Sequence, residues 1–385
     1  EGFDLELEKL TSKGRRIDLR TICTATFQDG KPIRLTGVFQ DITDRKQAER
    51  LQQHHNRILE MLTAKEPLVK VLDAITRDVE TLNPKMHCTI LLMDEDGIHL
   101  RHGAAPSLPE FYVKAIDGSP IGPTAGSCGA AAFNGLRVIV NDIDTHPWWD
   151  EYRELAQQAG LGACWSEPIF SSQGKVLGTF AIYHNKACAP TPADLELIGS
   201  EGRLAAIAIE RTLEENRLQL AARVFSHARE GIIITDAAGV IVDVNATFTQ
   251  ITGYSHDEAV GQNPRMLQSG RHGEDFYADM WNELLTVGHW AGEVWNKRKN
   301  GEIYAEMATI SAVVDSSGKP QNFVNLFTDI TQLKEHQNQL EYIAHYDALT
   351  NLPNRMLLAD RLKQAIMRSH RGGFSLAVLY LDLDG

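Results

Sequence analysis

The chain has 385 residues, and at roughly 150 residues per domain it holds two to three domains. Apolar residues make up 43% and charged residues 23%, which excludes intrinsic disorder and a collagen-like fibre. Lys and Arg total 38 against 51 Asp and Glu, and the resulting charge of −13 argues against non-specific nucleic-acid binding and against attachment to an anionic membrane surface. No apolar stretch approaches the roughly 18 residues of a membrane helix, and no secretory signal pattern is present. Cys23, Cys88, Cys128, Cys164 and Cys188 are scattered without a Cys-x-x-Cys, so neither a disulfide framework nor a zinc knuckle is expected. A cytoplasmic protein is the expectation.

The segment DGKPIRLTGVFQDITD (29–44) aligns without gaps on SGKPQNFVNLFTDITQ (317–332), so a module is repeated. Each copy follows an alternating strand, with Ile17, Leu19, Cys23, Ala25 and Phe27 on one face in the first and Tyr304, Ala308, Ile310, Ala312 and Val314 in the second. Asp29-Gly30 and Ser317-Gly318 supply hairpin turns. A helix should start after each copy, with Asp41, Thr43, Asp329 and Thr331 as its caps. Ala48, Leu51, His55, Ile58 and Leu62 follow the spacing of a two-stranded seam, as do Ala206, Ile209, Leu213, Asn216 and Leu220, and Ile330, Leu333, Gln337, Leu340 and Ala344. Each helix either packs on its own domain or pairs with a second copy; the shared pattern favours a parallel homodimer.

Residues 55–215 alternate helix and strand: a helical run 57–82, strands MHCTILLM (86–93) and IHLRHGA, a Gly- and Pro-rich segment 117–129, strand RVIV (137–140), a helix near Trp148, and the hairpin 163–183 before a long helix. GSCG, VNDIDTHPWWDEY, GLGACWSEPI and VLGTFAIY make this region resemble the GAF family of small-molecule sensors. The resemblance implies a ligand site between sheet and loops, near Cys128, Trp148, Trp149, Cys164 and Trp165. Those residues either fill core or form a thiol–aromatic pocket for a flat ligand or an oxidant. NKACAPTPADLE lacks the Phe and Asp-Glu of cyclic-nucleotide-binding relatives, so neither a cyclic nucleotide nor a covalently attached bilin is expected.

Residues 222–331 read as the hairpin GIIITDAAGVIVDVN, helical segments 246–253, 256–260 and 274–286, and three closing strands, one antiparallel sheet of five. They resemble the PAS family through ITDAAGVIVDVNATFTQITGYSHDEAVGQNP, FYADMWNELLTVGHWAGEVWNKRKNGEIY and the DIT end; residues 1–44 resemble the last three strands of that family. The resemblance implies pocket candidates Trp281, Trp290, Asn296 and Arg298, with flavin adenine dinucleotide as the first cofactor candidate. Haem is the second, with His272 or His289 as axial ligand. NPRMLQ replaces the light-sensing Asn-Cys-Arg motif, which excludes a cysteinyl-flavin photocycle.

After the last linker, Asp347 and Thr350 bracket a turn, and Leu357, Leu358, Arg361, Leu362, Ala365 and Ile366 mark an amphipathic helix leading to the strand FSLAVLYLDLDG. The run D-x-L-T-x-L-P-N-R resembles the opening of the GGDEF family, cyclases that join two GTP into cyclic di-GMP. That resemblance assigns magnesium to Asp382 and the Leu383 carbonyl, with the rest of the domain expected after Gly385 and an EAL phosphodiesterase beyond it. A histidine-kinase output is set aside, because His345 is followed by Tyr346-Asp347.

The expected architecture is α+β, a multidomain array of antiparallel PAS and GAF sheets joined by coiled-coil-like helices. Its parts are 1–44 (half a PAS domain), 45–62 (linker helix), 63–200 (GAF), 201–222 (linker helix), 223–331 (PAS), 332–345 (linker helix) and 346–385 (start of GGDEF). The expected function is the sensory region of a cyclic di-GMP-metabolising enzyme, with GTP or cyclic di-GMP and a small-molecule ligand as partners. A flavin or haem sensor and a protein-docking scaffold are the alternatives.

Overall fold

The computed structural model describes residues 2–12, 16–29, 31–347, 349–373 and 375–379. The chain divides into two units, Glu1–Arg217 and Leu218–Gly385.

The first unit opens with an antiparallel sheet, β1 (Gly2–Leu10), β2 (Arg16–Gln28) and β3 (Lys31–Asp41), ordered β1-β2-β3. Helix α1 (Thr43–Thr63) follows at once. The helical run expected over 57–82 is two helices. Lys65 takes a left-handed φ of 57° and Pro67 precedes α2 (Leu68–Leu82); proline supplies no N–H, so the ladder cannot cross it.

A six-stranded antiparallel sheet follows, ordered β6-β5-β4-β9-β8-β7. Its strands are β4 (Met86–Met93), β5 (His99–Ala104), β6 (Ser119–Pro120), β7 (Val138–Val140), β8 (Ala163–Phe170) and β9 (Val176–His184). Helix α3 (Glu110–Ile116) stands in a stretch with no sequence assignment, α4 (Gly126–Asn134) starts inside the Gly- and Pro-rich segment 117–129, and Pro147–Trp149 is a 3₁₀ turn before α5 (Arg153–Gln158). Helix α6 (Pro192–His227) closes the region.

Successive strand residues point to opposite faces, so this sheet builds two cores. On one face Ile58 and Leu62 of α1, Val71, Leu72 and Ile75 of α2, and Ile198 and Ala205 of α6 pack on Ile90, Phe180 and Ile182. On the other, Tyr112, Ala131, Trp149 and Ala156 from α3, α4, the 3₁₀ turn and α5 pack on Leu91, Ala181 and Tyr183. Each fully buried large apolar side chain contributes about 1.5–3 kcal/mol. Three of the five proposed seam residues in α1 are therefore turned inward: Ile58 and Leu62 are core, and His55 Nε2 meets Glu201 Oε1 of α6 at 2.9 Å. The same holds for Ala206 and Ile209 of α6, whereas Leu213 and Leu220 are exposed.

The second unit carries β10 (Gly231–Asp236), β11 (Ile241–Val244), β12 (His289–Lys297), β13 (Ile303–Val314) and β14 (Pro320–Asp329) in the order β11-β10-β14-β13-β12. Between β11 and β12 run α7 (Ala246–Thr252), α8 (His256–Ala259), a 3₁₀ turn at Pro264–Leu267 and α9 (Glu274–Val287). Side chains cap α7 and α8: the Asn245 side chain accepts from Phe248 N–H, and Ser255 and Glu258 form a reciprocal capping box. Gly288, at φ 87°, ends α9 in the left-handed region. Helices α10 (Thr331–His345) and α11 (Arg355–Gly372) complete the chain, α11 capped by the Asn354 side chain. The expected turn is present, with Asp347 Oδ1 accepting from Thr350 N–H and Oγ1. Residues 375–379 are not in a strand, and the rest of the expected strand lies outside the described residues. Asp382 and Leu383 lie outside the described residues.

The repeat shows how cover, not pattern, decides burial. Phe39 of β3 is 63% exposed, while Phe327, its counterpart in β14, is 1% exposed. Phe327 packs edge-on to Phe248 of α7 at 6.3 Å, and the first sheet has no such helical cover among the described residues.

Close strand approach fixes the six-stranded sheet at Gly178. A Cβ there would lie 2.1 Å from the Leu91 carbonyl oxygen, so the backbone would have to move. Gly178→Ala is expected to destabilise the first unit by about 1–3 kcal/mol, read as a lower urea midpoint at unchanged slope.

Candidate functional site

Three places gather polar chemistry: a thiol cluster in the six-stranded sheet, the interior of the five-stranded sheet, and the junctions where β3 and β14 hand over to helices.

The thiol cluster is built where α4 lies on β8 and β9. Gly126, at φ 59°, lets the chain turn sharply into α4, and Ser127 anchors that turn by accepting from Trp149 Nε1–H at 3.0 Å. Cys128 is thereby set over the sheet. Its Sγ lies 3.3 Å from Ser166 Oγ and 3.8 Å from Tyr183 Oη, and Cys164 Sγ lies 3.6 Å from the same Ser166 Oγ. Hydrogen bonding from Cys164, with further bonds from Ser166, Tyr183 and Thr179, outweighs burial and holds the Cys128 thiol down to about 7. Burial pushes Cys164 and Tyr183 well above their ordinary values.

Of the expected pocket residues here, Cys128, Cys164, Trp148 and Trp149 meet on one face of the sheet. Trp165 does not join them. One residue beyond Cys164, it points to the opposite core and packs on His184 at a ring distance of 4.5 Å. The pleat alone decides this. Ser166, Thr179 and Tyr183 were missed; the alternation of β8 and β9 places them with Cys164.

In the second unit, β12, β13 and β14 turn one face inward. Trp290 is buried there, edge-on to Phe276 at 5.9 Å. Asn296 is buried on the same face, and its Nδ2 donates to Glu306 Oε1 at 3.0 Å. Glu306 itself was missed. It is 2% exposed, and among the described residues its Oε2, the neighbouring buried Tyr304 hydroxyl and Asn325 Oδ1 make no hydrogen bond of good geometry. Burial drives the Glu306 carboxyl up to about 7. Trp281 is 37% exposed on α9 and touches Phe323 edge-on, so it lies at the rim.

Arg298 is not a pocket group. Its guanidinium bonds the Ile251 carbonyl and Asp329 Oδ2 and stacks 4.4 Å over the Tyr304 ring. The haem candidates do not fit either. His272 Nε2 accepts from Trp295 N–H at 2.9 Å and its ring stacks on Phe276 at 4.0 Å, while His289 is exposed.

The junctions repeat one wiring. Asp41 Oδ1 accepts from Thr43 N–H at 3.0 Å, and Asp329 Oδ1 accepts from Thr331 N–H at 2.9 Å, so each Asp satisfies the first amide of its helix. The threonines do something else: Thr43 Oγ1 accepts from Asp18 N–H and Thr331 Oγ1 from Ala305 N–H, both at 3.0 Å, on the neighbouring strand. Ile42 and Ile330 close the same strands with backbone bonds of 2.9 Å. Each Asp-Ile-Thr therefore ties a helix start to an inner strand of its sheet.

Glu306 sets a pH dependence. Its carboxyl is neutral in the folded and unfolded chain well below pH 4.5; as pH rises through about 7 the fold must hold a buried carboxylate, and stability falls. Glu306→Gln keeps the acceptor for Asn296 and removes that charge. Its stability relative to the parent should rise between about pH 5 and about pH 8, by on the order of 3 kcal/mol, read by denaturant melts at each pH.

Residues 65–210 match the GAF domain family, residues 229–332 the PAS domain family, and residues 344–385 the diguanylate cyclase GGDEF domain family. A methyl sulfide methyltransferase-associated sensor of Methanosarcina acetivorans is 33% identical over 343 residues, 86% of this chain and 34% of its own. The cyclic di-GMP phosphodiesterase PdeR of Escherichia coli is 28% identical over 46% of this chain and 26% of its own. The bifunctional diguanylate cyclase/cyclic di-GMP phosphodiesterase MucR of Pseudomonas aeruginosa is 43% identical over 20% of this chain and 11% of its own. The chain thus spans about a third, or less, of the length of these relatives. It is a mixed α+β signalling region that carries a GAF domain, then a PAS domain, then a stretch that matches part of a GGDEF domain.

Proposed function

We propose that this chain is the sensory and regulatory region of a protein that makes or destroys cyclic di-GMP. The observation that carries the reading is the placement of α10. It leaves the PAS sheet at the Asp329–Thr331 tie and ends at His345, where the GGDEF match has just begun at residue 344. A change in the PAS interior reaches the output domain through that helix. Two relatives named for cyclic di-GMP enzymes support the same assignment.

In this reading residues 1–44 are the closing strands of a further PAS domain, and the parent acts in the cytoplasm as a parallel homodimer. The linker helices supply the argument: Leu333 and Leu340 of α10 are 58% and 68% exposed. An apolar stripe at seam spacing on a helix needs a partner surface. No helix among the described residues is long and apolar enough to cross a membrane. GTP or cyclic di-GMP and magnesium belong to the output domain, with Asp382 and Leu383 as its metal ligands and an EAL domain following. Any ligand shifts the helices only by its differential affinity for the two arrangements.

The unpartnered polar atoms of the PAS interior favour flavin as the ligand there. Trp290 would stack on the ring system, and Asn296, Glu306 and Asn325 would meet its polar edge. A bound flavin supplies electron-transfer chemistry.

In the full-length protein, Arg298→Ala releases Asp329 from its guanidinium partner. It is expected to change cyclic di-GMP turnover by at least about fivefold, measured with labelled nucleotide, while the domain melts stay cooperative. A full-length protein with no turnover in either direction overturns the reading, and a monomer mass by light scattering overturns the dimer. Purified protein is expected to show the visible flavin band, weakened by Asn296→Ala; a colourless protein that releases no flavin on denaturation removes the flavin assignment.

A further inference from the structure

We propose that Cys128 and Cys164 are a dithiol–disulfide pair in the GAF domain, oxidised by a hydroperoxide. The proposal stands on geometry that needs neither the cyclic di-GMP reading nor a bound cofactor. The two sulfurs touch one hydroxyl, Ser166 Oγ, at 3.3 and 3.6 Å. They come from different elements, α4 and β8, so a bond between them joins two parts of the fold.

The two thiols are unequal in the way a nucleophile and its resolving partner must be. Cys128 is only partly buried, unlike Cys164, and it occupies the first turn of α4, where unpaired N–H groups favour negative charge. The Ser166 and Tyr183 hydroxyls stand within hydrogen-bond reach of its sulfur. Cys164 is fully buried, which favours the protonated thiol. The remaining cysteines lack this arrangement. Cys88 is buried on the opposite face of the sheet, burial raises the Cys188 thiol, and Cys23 lies on β2.

The Cys128 thiolate attacks one peroxide oxygen, the O–O bond breaks, and hydroxide leaves to become water, giving a sulfenic acid. The Cys164 sulfur then attacks the Cys128 sulfur. The S–O bond breaks, a second water departs with the Cys164 proton, and the S–S bond forms. Overall two thiols and one hydrogen peroxide give one disulfide and two waters, the sulfurs losing two electrons and the peroxide gaining them. Closing the bond to about 2.05 Å draws the first turn of α4 onto β8.

The test treats the purified, unmodified chain with stoichiometric hydrogen peroxide, blocks remaining thiols with an alkylating reagent, and maps peptides by mass spectrometry without reduction. The expected result is a Cys128–Cys164 linked peptide that disappears with dithiothreitol, with Cys128 consumed on the order of ten times faster than Cys188. Cys164→Ser should stop the sequence at a Cys128 sulfenic acid captured by dimedone, and Cys128→Ser should leave Cys164 reduced. Oxidation of Cys128 with Cys164 still alkylatable in the unmodified chain overturns the pairing. Oxidation of Cys23 or Cys188 ahead of Cys128 overturns the assignment of the nucleophile. The main measurement needs no variant, and either negative result leaves the cyclic di-GMP reading untouched.

Discussion

A threonine hydroxyl accepting one strand amide is the contact that fixes how α1 and α10 leave their sheets. Thr43 and Thr331 each make it, and in each case the preceding aspartate satisfies the first amide of the departing helix. A helix held this way cannot rotate or slide without breaking a bond to the sheet, and the two bonds are worth about 1 kcal/mol each, more where a carboxylate takes part. In the second copy Arg298 adds a guanidinium to the aspartate and stacks on Tyr304, so the sheet interior and the helix start share a residue.

That sharing connects chemistry to movement. Tyr304 stands beside Glu306, the buried carboxyl whose charge the fold resists, and Glu306 is bonded to Asn296 on the next strand. A change of charge or occupancy in the PAS interior is thus one side chain away from the group that holds α10. In the GAF domain the distance is different. Its thiol cluster lies under α4, on the face of the sheet opposite α1 and α6. Any influence on those helices must pass through the sheet, by the packing of β8 and β9.

The α1 junction shows how one helix serves two masters. Its first turn is tied to β2 by Thr43. Its last turns are core of the GAF domain through Ile58 and Leu62, and His55 bonds the buried Glu201 of α6. His54, pushed down to about 4 chiefly by burial, is neutral near pH 7 and meets Asp78 of α2. Such a helix is a strut between two sheets, with its register set by polar contacts at mid-length.

Much of this was legible in the amino-acid order. Period-two alternation and the Gly and Asx turns located most strands, the repeat 29–44 and 317–332 revealed two copies of one junction, and local motifs were enough to tell GAF from PAS. The helices α3 and α4 escaped, because Gly- and Pro-rich flanks mask short helices whose stability comes from packing. Tertiary structure alone decided which neighbours met: Cys164 and Trp165 are adjacent in sequence yet belong to opposite cores, Arg298 joins Asp329 rather than a pocket, and Glu306 is buried beside Asn296. Sequence order determines local conformation through short-range sterics and hydrogen bonds. The company a side chain keeps depends on which face of a sheet receives helical cover, and that is a property of the assembled chain.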